Sequence, residues 1–477
     1  MTRTVEMPLW LLVLLLLFAA VTFASHFLFP SVRWFFRKRL ERAVADLNRR
    51  LTRPIEPFKL ARRHDMIQRL IYDPKVAEAI ADYARAKGLP EEVAFETARR
   101  FAREIVPRFS AFAYFGLAIR LARAVSRGLY EVRLDAFDSA GLDRIDPKAT
   151  VVFAINHRSN MDYVLVTWLA SERSHLSYAV GEWARRWPLS GLIRMMGAYF
   201  IRRRSENPLY RRVLARYVQI ATAEGTTQAI FPEGGLSLTG AVGAPRMGLI
   251  NYIVEGFEPG RGRDVVFVPV ALNYDRVLED RVLVAAGISG ERRFRLRWSD
   301  VARHVGRHLV QRLFGRFHRF GSAAVGFGQP VSLGAFLSGH EGAPATETEE
   351  LAHLLMDRVR GAVPVLPVPL VATVLLEADG ARREEIVDRA AALADEFAAR
   401  GAHLHLPGAD RREAAEIGLS LLEMRQIVRC DGAACRINPP DRPILQFYAN
   451  SIAHLRGAPA VLPGGETASA AGETRAT

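Results

Sequence analysis

An α/β architecture, a sheet with helices on its faces, is what this 477-residue sequence predicts for residues 131–335. Three observations predict it. Short apolar runs at 151–154, 198–201, 228–231, 265–272 and 323–327 have the length and composition of buried strands. Stretches of helical pattern, such as 161–169 and 209–224, fall between several of them, the alternation expected of a sheet covered by helices. Knots of polar residues and glycines sit at the runs, and in open α/β sheets ligands gather at strand ends.

The flanking segments are justified in chain order. Residues 8–29 are apolar except for Thr22, Ser25 and His26. As a helix they would cover roughly 30 Å, the thickness of a bilayer core. A cleaved signal peptide is the competing reading, but it would be shorter and preceded by more positive charge. Here Arg33, Arg37, Lys38, Arg39 and Arg42 follow instead. That predicts a single-pass anchor over 1–30 in the inner (cytoplasmic) membrane, with the remainder on the cytoplasmic side. Residues 31–130 read as a helical region, with Pro74 and Pro90 near helix starts. Within it Phe109, Phe112, Tyr114 and Phe115 precede Arg120, Arg123 and Arg127 at helical spacing. This is either a helix in the headgroup layer or a core helix with solvated arginines. Residues 345–456 return to helix with few strand signals apart from the apolar stretch 363–376, and 457–477 form a small, polar tail expected to be disordered.

Composition narrows the partners. At 49% hydrophobic and 24% charged residues the chain is a folded protein, and it is too long for one core. A net charge of +14 calls for an anionic partner: phospholipid headgroups, nucleic acid or phosphorylated metabolites. From Arg292 to Arg319 there are nine arginines and one acid, Asp300, interleaved with Phe294, Trp298, Phe314 and Phe317. Beside a membrane anchor, anionic lipid is favoured over nucleic acid as the counter-surface, with a solvated helix face as the plain alternative. The two cysteines, Cys430 and Cys435, make no disulfide framework, fit a reducing compartment and flank what reads as a turn. No metal site is expected, since His304 and His308 have helical spacing but no glutamate base between them.

The most informative stretch is Asn156-His157-Arg158-Ser159-Asn160-Met161-Asp162, directly after the run 150–155. Five residues of continuous helix turn about 500°, so His157 and Asp162 would not share a helix face. They meet if His157 lies in a loop and Asp162 on the first turn of the next helix. The carboxylate then holds one imidazole nitrogen and leaves the other to take a proton. Three more knots follow. Arg202, Arg203 and Arg204 lie at a strand end, where guanidinium groups can grip a phosphate. Phe231-Pro232-Glu233-Gly234-Gly235-Leu236-Ser237-Leu238-Thr239-Gly240 sets a carboxylate among glycines that permit positive φ. It is neither a P-loop nor a nucleophile elbow. The fourth is the apolar run 267–272, interrupted by Pro269.

In this order the four knots resemble the motif blocks of the glycerolipid acyltransferase superfamily, and they look most like its bacterial glycerol-3-phosphate and dihydroxyacetone-phosphate acyltransferase branch. Segments around Arg63, Pro364 and Phe447 are similar to that branch as well, so the likeness covers roughly 63–455. The resemblance implies an acyltransferase-type mixed sheet flanked by helices. It also implies transfer of a fatty-acyl group from acyl-CoA or acyl-carrier protein to the sn-1 hydroxyl of glycerol 3-phosphate. His157 and Asp162 would be catalytic. Arg202, Arg203, Glu233, Gly234, Gly235, Ser237, Thr239 and Pro269 would form the substrate site. A thioester is already an activated donor, so no cofactor is expected. Leu236 and Leu238 stand where that branch carries arginines, which leaves open another acceptor, dihydroxyacetone phosphate or a lysophospholipid, or a non-catalytic lipid-surface scaffold.

Overall fold

The computed structural model describes residues 63–107, 119–134, 144–170, 177–180, 199–202, 205–290, 320–339, 344–408, 410–432 and 434–461. The chain divides into Met1–Ile55 and Glu56–Thr477, and every described residue belongs to the second unit. The expected membrane anchor, the aromatic run 109–115, Arg203 and the basic segment 292–319 lie outside the described residues. Among the described residues no helix is long and apolar enough to cross a membrane.

Helices α1 (Arg63–Ile71), α2 (Pro74–Lys87) and α3 (Glu91–Ile105) come first. The start of α2 follows from sequence: Asp73 accepts from the Lys75 amide at 3.1 Å, and Pro74 takes a first-turn position that needs no N–H. Next come α4 (Ile119–Leu129), β1 (Glu131–Leu134), β2 (Thr150–Ile155), α5 (Met161–Ala170), β3 (Ser177–Val180) and β4 (Tyr199–Phe200). The chain continues through α6 (Pro208–Ala223), β5 (Gln228–Ile230), α7 (Gly248–Glu255), β6 (Val265–Tyr274) and α8 (Asp280–Ser289). Then follow β7 (Ser322–Phe327), β8 (Val331–Ser332), α9 (Leu333–Ser338), α10 (Pro344–Gly361), α11 (Pro367–Glu377), α12 (Arg383–Ala399) and α13 (Arg411–Met424). A hairpin of β9 (Val428–Cys430) and β10 (Cys435–Ile437) precedes α14 (Arg442–Ala449).

The strands order as β1-β7-β6-β2-β5-β3-β4, with β8 also on β6. β6, β2, β5, β3 and β4 run parallel, whereas β7 and β8 pair antiparallel to β6, so the sheet is mixed. All ten residues of β6 are buried, as a central strand between two neighbours requires. Side chains of β2 alternate between two cores. Val151 and Ile155 face the layer built from α4, α5 and α11 to α14. Val152 and Ala154 face α1 to α3, α6, α7 and α10. Because five strands are parallel, their carboxyl ends share one edge, and the loops after β2, β4 and β5 leave from it.

Pro269 sits inside β6 opposite Ala154. A proline in a central strand removes a ladder donor. Here it lies where β6 passes from β8, paired at Phe267, to β7, paired from Val270, and the Gly328 amide bonds to its carbonyl at 2.9 Å. The strand is therefore interrupted only where its neighbour turns.

Two expectations are corrected. The apolar stretch 363–376 is mainly helix: Val365 makes a single bridge to Leu404, and α11 begins at Pro367. Prolines at 367 and 369 suit a first helical turn, and a helix buried on all sides has no polar face to show its period. Cys430 and Cys435 are directly opposed in the β9–β10 hairpin and joined as a disulfide, so this segment is a bonded hairpin rather than a plain turn with free thiols. Strands β1 and β3 lie outside the apolar runs that mark strands in the sequence. At the tail, Val461 is held by Asn450, whose side chain bonds its amide at 3.0 Å and its carbonyl at 2.6 Å.

Candidate active site

The site begins where β2 ends. The Asn156 side chain copies a backbone pair, donating to Leu272 O at 3.0 Å and accepting from Leu272 N at 2.7 Å. It thus extends the β2–β6 ladder by one step and fixes the point at which the chain leaves the sheet. His157 follows in a loop, and Ser159 starts α5, its hydroxyl accepting from Met161 N at 3.1 Å. Asp162 is then on the first turn of α5.

The two predicted side chains meet. His157 Nδ1 and Asp162 Oδ2 are 2.9 Å apart, and both residues are buried, at 1% and 0% exposure. A carboxylate only accepts, so the shared proton sits on Nδ1 and Nε2 keeps its lone pair. Asp162 is itself held by further donors: Arg158 N at 2.8 Å and Ser159 N at 3.0 Å to Oδ2, and the Tyr274 hydroxyl at 2.6 Å to Oδ1. Burial and the Asp162 carboxylate push the Tyr274 phenol well above its ordinary range, so it stays a donor. The Nε2 face meets the Tyr163 hydroxyl at 3.4 Å, and the imidazole stacks on Phe231 with ring centroids 4.4 Å apart.

The loop after β5 closes over this pair. Glu233 Oε1 accepts from His157 N at 2.9 Å and Oε2 from Gly243 N at 3.1 Å. Burial raises its carboxyl to about 7, against the opposing pull of those two amides. Gly234 is in the left-handed region at φ 68°, where a Cβ would meet Arg246 Cδ at 2.7 Å. Ser237 N donates to His157 O at 2.8 Å, a second direct tie between the loops. The Ser237 hydroxyl donates to Ala241 O at 2.7 Å and accepts from Gly240 N at 3.0 Å, so it shapes the turn. Thr239 Oγ1 accepts from Ala241 N at 3.3 Å, and Gly235 is buried in the same turn. Leu236 and Leu238 pack against the apolar core.

Arg202 stands apart from this cluster. Its Nε and Nη2 grip the Glu104 carboxylate at 2.9 and 2.7 Å, and its guanidinium lies 5.2 Å from the ring centres of Phe101 and Tyr210. β4 is three strands from β2 along the shared edge, roughly 14 Å at about 4.8 Å per strand. The structure thus unites His157, Asp162, Glu233 and Ser237 and leaves Arg202 further along the edge, already paired with an acid.

Several participants lie outside the four sequence knots. Tyr274 lies two residues beyond the strand predicted over 265–272. Glu279 accepts from the Ser159 hydroxyl at 3.0 Å and Asn160 N at 2.6 Å, placing a part-buried carboxylate at the start of α5. Glu104 is 98 positions from Arg202. Among the described residues no group of three or more His, Cys, Asp or Glu is placed to hold a metal.

An oriented imidazole at the carboxyl edge of a mixed sheet fits acyl transfer, and residues 136–273 match the Acyltransferase family model, so this is an acyltransferase-domain protein. Residues 310–463 match the model described as Glycerol-3-phosphate acyltransferase C-terminal region. The chain thus carries an acyltransferase domain and, after it, a region like the C-terminal part of glycerol-3-phosphate acyltransferases. It is 27% identical over 423 residues to the glycerol-3-phosphate acyltransferase of Pasteurella multocida (strain Pm70), covering 83% of this chain and 50% of that protein. It is also 27% identical over 434 residues to the protein of that name from Pseudomonas syringae pv. syringae (strain B728a), covering 84% and 50%. The chain spans about half the length of the curated relatives it matches. A solved structure, the 1-acyl-sn-glycerophosphate (LPA) acyltransferase PlsC from Thermotoga maritima, aligns with a TM-score of 0.31 and 16% identity over 51% of this chain and 78% of that one. Nothing further rests on that likeness.

Proposed function

We propose that this protein transfers a fatty-acyl group from a thioester, acyl-CoA or acyl-carrier protein, to the sn-1 hydroxyl of glycerol 3-phosphate, giving lysophosphatidic acid. The observation that carries the reading is the buried His157–Asp162 pair, with Nδ1 bonded at 2.9 Å and Nε2 left as the basic nitrogen. The acceptor hydroxyl approaches Nε2 on the side where the Tyr163 hydroxyl lies. As its oxygen attacks the thioester carbonyl, its proton passes to Nε2. Asp162 holds the tautomer and stabilises the imidazolium. The tetrahedral intermediate collapses with cleavage of the C–S bond, and the imidazolium returns the proton to the departing thiolate. The thioester is the activated species, so the reaction as proposed needs no metal or redox cofactor.

The acceptor phosphate is assigned to Arg202, which would exchange Glu104 for the ligand, with Arg203 beside it. Glu233, Gly234, Gly235, Ser237 and Thr239 shape the loop against His157, and Pro269 braces the strand beneath. An anchor over 1–30 would hold the protein on the cytoplasmic face of the membrane, where phospholipid is the counter-surface. A second reading follows from Leu236 and Leu238, which pack on the core and give the loop an apolar flank. A lysophospholipid acceptor suits that flank better than glycerol 3-phosphate does.

The test is thiol release from palmitoyl-CoA and palmitoyl-carrier protein by the purified protein in detergent, with glycerol 3-phosphate, dihydroxyacetone phosphate or a lysophospholipid added. Release is expected to require glycerol 3-phosphate and to vanish in His157→Ala. Release with the lysophospholipid alone supports the second reading. Stimulation by no acceptor, in folded protein, refutes both.

A further inference from the structure

The C-terminal helix α14 lies against the catalytic loops, and one side chain lies between them. Arg158, next to His157, is 2% exposed, among the largest fully buried side chains of the protein. Its Nη1 donates to Gly240 O, and its guanidinium carbon lies 5.2 Å from the centre of the Phe447 ring. Nε and Nη2 are buried with no hydrogen-bond partner among the described residues. A buried cation with two unbonded donors is costly, and an apolar side chain of similar volume serves stability as well or better. The arrangement therefore calls for a role other than stability.

Two further contacts make the same connection. Gly240, at φ 87°, is so close to α14 that a Cβ there would lie 1.8 Å from Phe447 O. Asn450, just after α14, donates to Thr239 O at 2.8 Å. A second route reaches the other end of the loop: Tyr448 donates to Asp280 at 2.6 Å, and the adjoining Glu279 holds Ser159 and Asn160. The Arg158 amide is itself one of the donors to Asp162 Oδ2. A shift of Arg158 thus moves a support of Asp162 and the main chain of His157 together.

Resting on the functional reading above, we propose that Arg158 is a positioning residue through which α14 sets the His157–Asp162 pair. The C-terminal helical region is on this view part of the active site. Arg158 does not touch the reacting atoms. Its guanidinium clamps the loop after β2 and the loop after β5 onto Phe447.

The test uses full-length protein carrying Arg158→Met, Arg158→Lys, Phe447→Leu and the Met–Leu double change. Thiol release, thermal unfolding and amide hydrogen exchange over residues 156–163 are measured for each. Arg158→Met is expected to lower kcat at least tenfold with KM for the acceptor within twofold, and to leave the unfolding midpoint at or above that of the wild type. Arg158→Lys, which keeps charge and length, recovers part of the loss. Phe447→Leu lowers kcat too, and the double variant falls no further than Arg158→Met, since both remove one device. Exchange over 156–163 quickens in Arg158→Met and in Phe447→Leu, and that readout needs no substrate. Quickened exchange in a protein without turnover would uphold the clamp and sink the functional reading. Wild-type kcat in Arg158→Met, fully additive losses, unchanged exchange, or a rise in KM alone would overturn the proposal, the last by making Arg158 a ligand for the acceptor's anionic group.

Discussion

Asp162 is the most constrained residue of the site, and the donors around it define what each substitution does. In Asp162→Asn the carbonyl oxygen stays toward the Arg158 and Ser159 amides and Nδ1, with the NH2 toward the Tyr274 hydroxyl, so the tautomer is kept but the charge that stabilises the imidazolium is lost. A fall in kcat of about 10³–10⁴ is expected, measured as thiol release at saturating acceptor. Tyr274→Phe removes one donor of several and leaves a buried carboxylate less satisfied. About 1–2 kcal/mol of stability should be lost, read from urea unfolding, with a much smaller fall in kcat. Glu233 gives the pH prediction. Its folded carboxyl lies at about 7, above the ordinary 4.5. The folded protein thus binds that proton more tightly than the unfolded chain does. The stability it contributes is fully present below pH 4.5 and is lost as pH rises through 7. The advantage of wild type over Glu233→Gln should therefore shrink by up to about 3 kcal/mol between pH 4.5 and 7.5, measured as unfolding midpoints across that range. At this scale His157 and Asp162 were legible, because the strand, loop and helix that join them lie within a dozen residues. The partner of Arg202 was not, because Glu104 comes from a distant helix that only the fold brings near.

Among elements, the loop after β5 and helix α14 form the tightest junction, and glycines test it. Gly240 and Gly260 both have positive φ, at 87° and 74°. A Cβ at Gly260 meets nothing within 4 Å, whereas one at Gly240 would overlap Phe447 O. Gly260→Ala should cost about 1 kcal/mol, the backbone strain alone. Gly240→Ala should cost several times as much by thermal unfolding and lower kcat, because the junction must part. Equal costs at the two positions would show that loop and helix are not pressed together as described. Sequence foretold β2, β4, β5, β6 and β7, each of which falls on one of the apolar runs at 151–154, 198–201, 228–231, 265–272 and 323–327. It did not reveal β1 or β3, four residues each, whose place is set by pairing with β7 and with β5 and β4. It read the α11 stretch ambiguously for a related reason: eight of its eleven residues are buried, so neither period shows.

At the scale of the whole molecule, the proposed contact with lipid predicts which side of the folded unit it would use, and α8 makes that prediction open to measurement. It begins directly after Glu279, the carboxylate that holds Ser159 and Asn160, so it borders the catalytic loop. Its outer side shows Leu278 at 38%, Val282 at 53% and Ile288 at 58% exposure. Leu278 precedes the helix, and Val282 and Ile288, six residues apart, lie about 120° from one another, at the two edges of the exposed side of α8. Val282 and Ile288 are exposed aliphatic residues beside the proposed acyl-handling site, and on that proposal this side of the protein is expected to meet lipid tails. Tyr72, 68% exposed, lies beyond the other face of the sheet, among α1 to α3, and serves as the control. Full-length protein bearing Val282→Cys, Ile288→Cys or Tyr72→Cys, each labelled with an environment-sensitive fluorophore, would be mixed with phosphatidylglycerol-containing vesicles holding a chain-attached quencher. Labels at 282 and 288 should be quenched and the label at 72 should not. Equal quenching at all three positions would mean that lipid does not select the α8 side. Quenching confined to 72 would reverse the orientation and set the acyl donor's approach on the opposite face of the sheet.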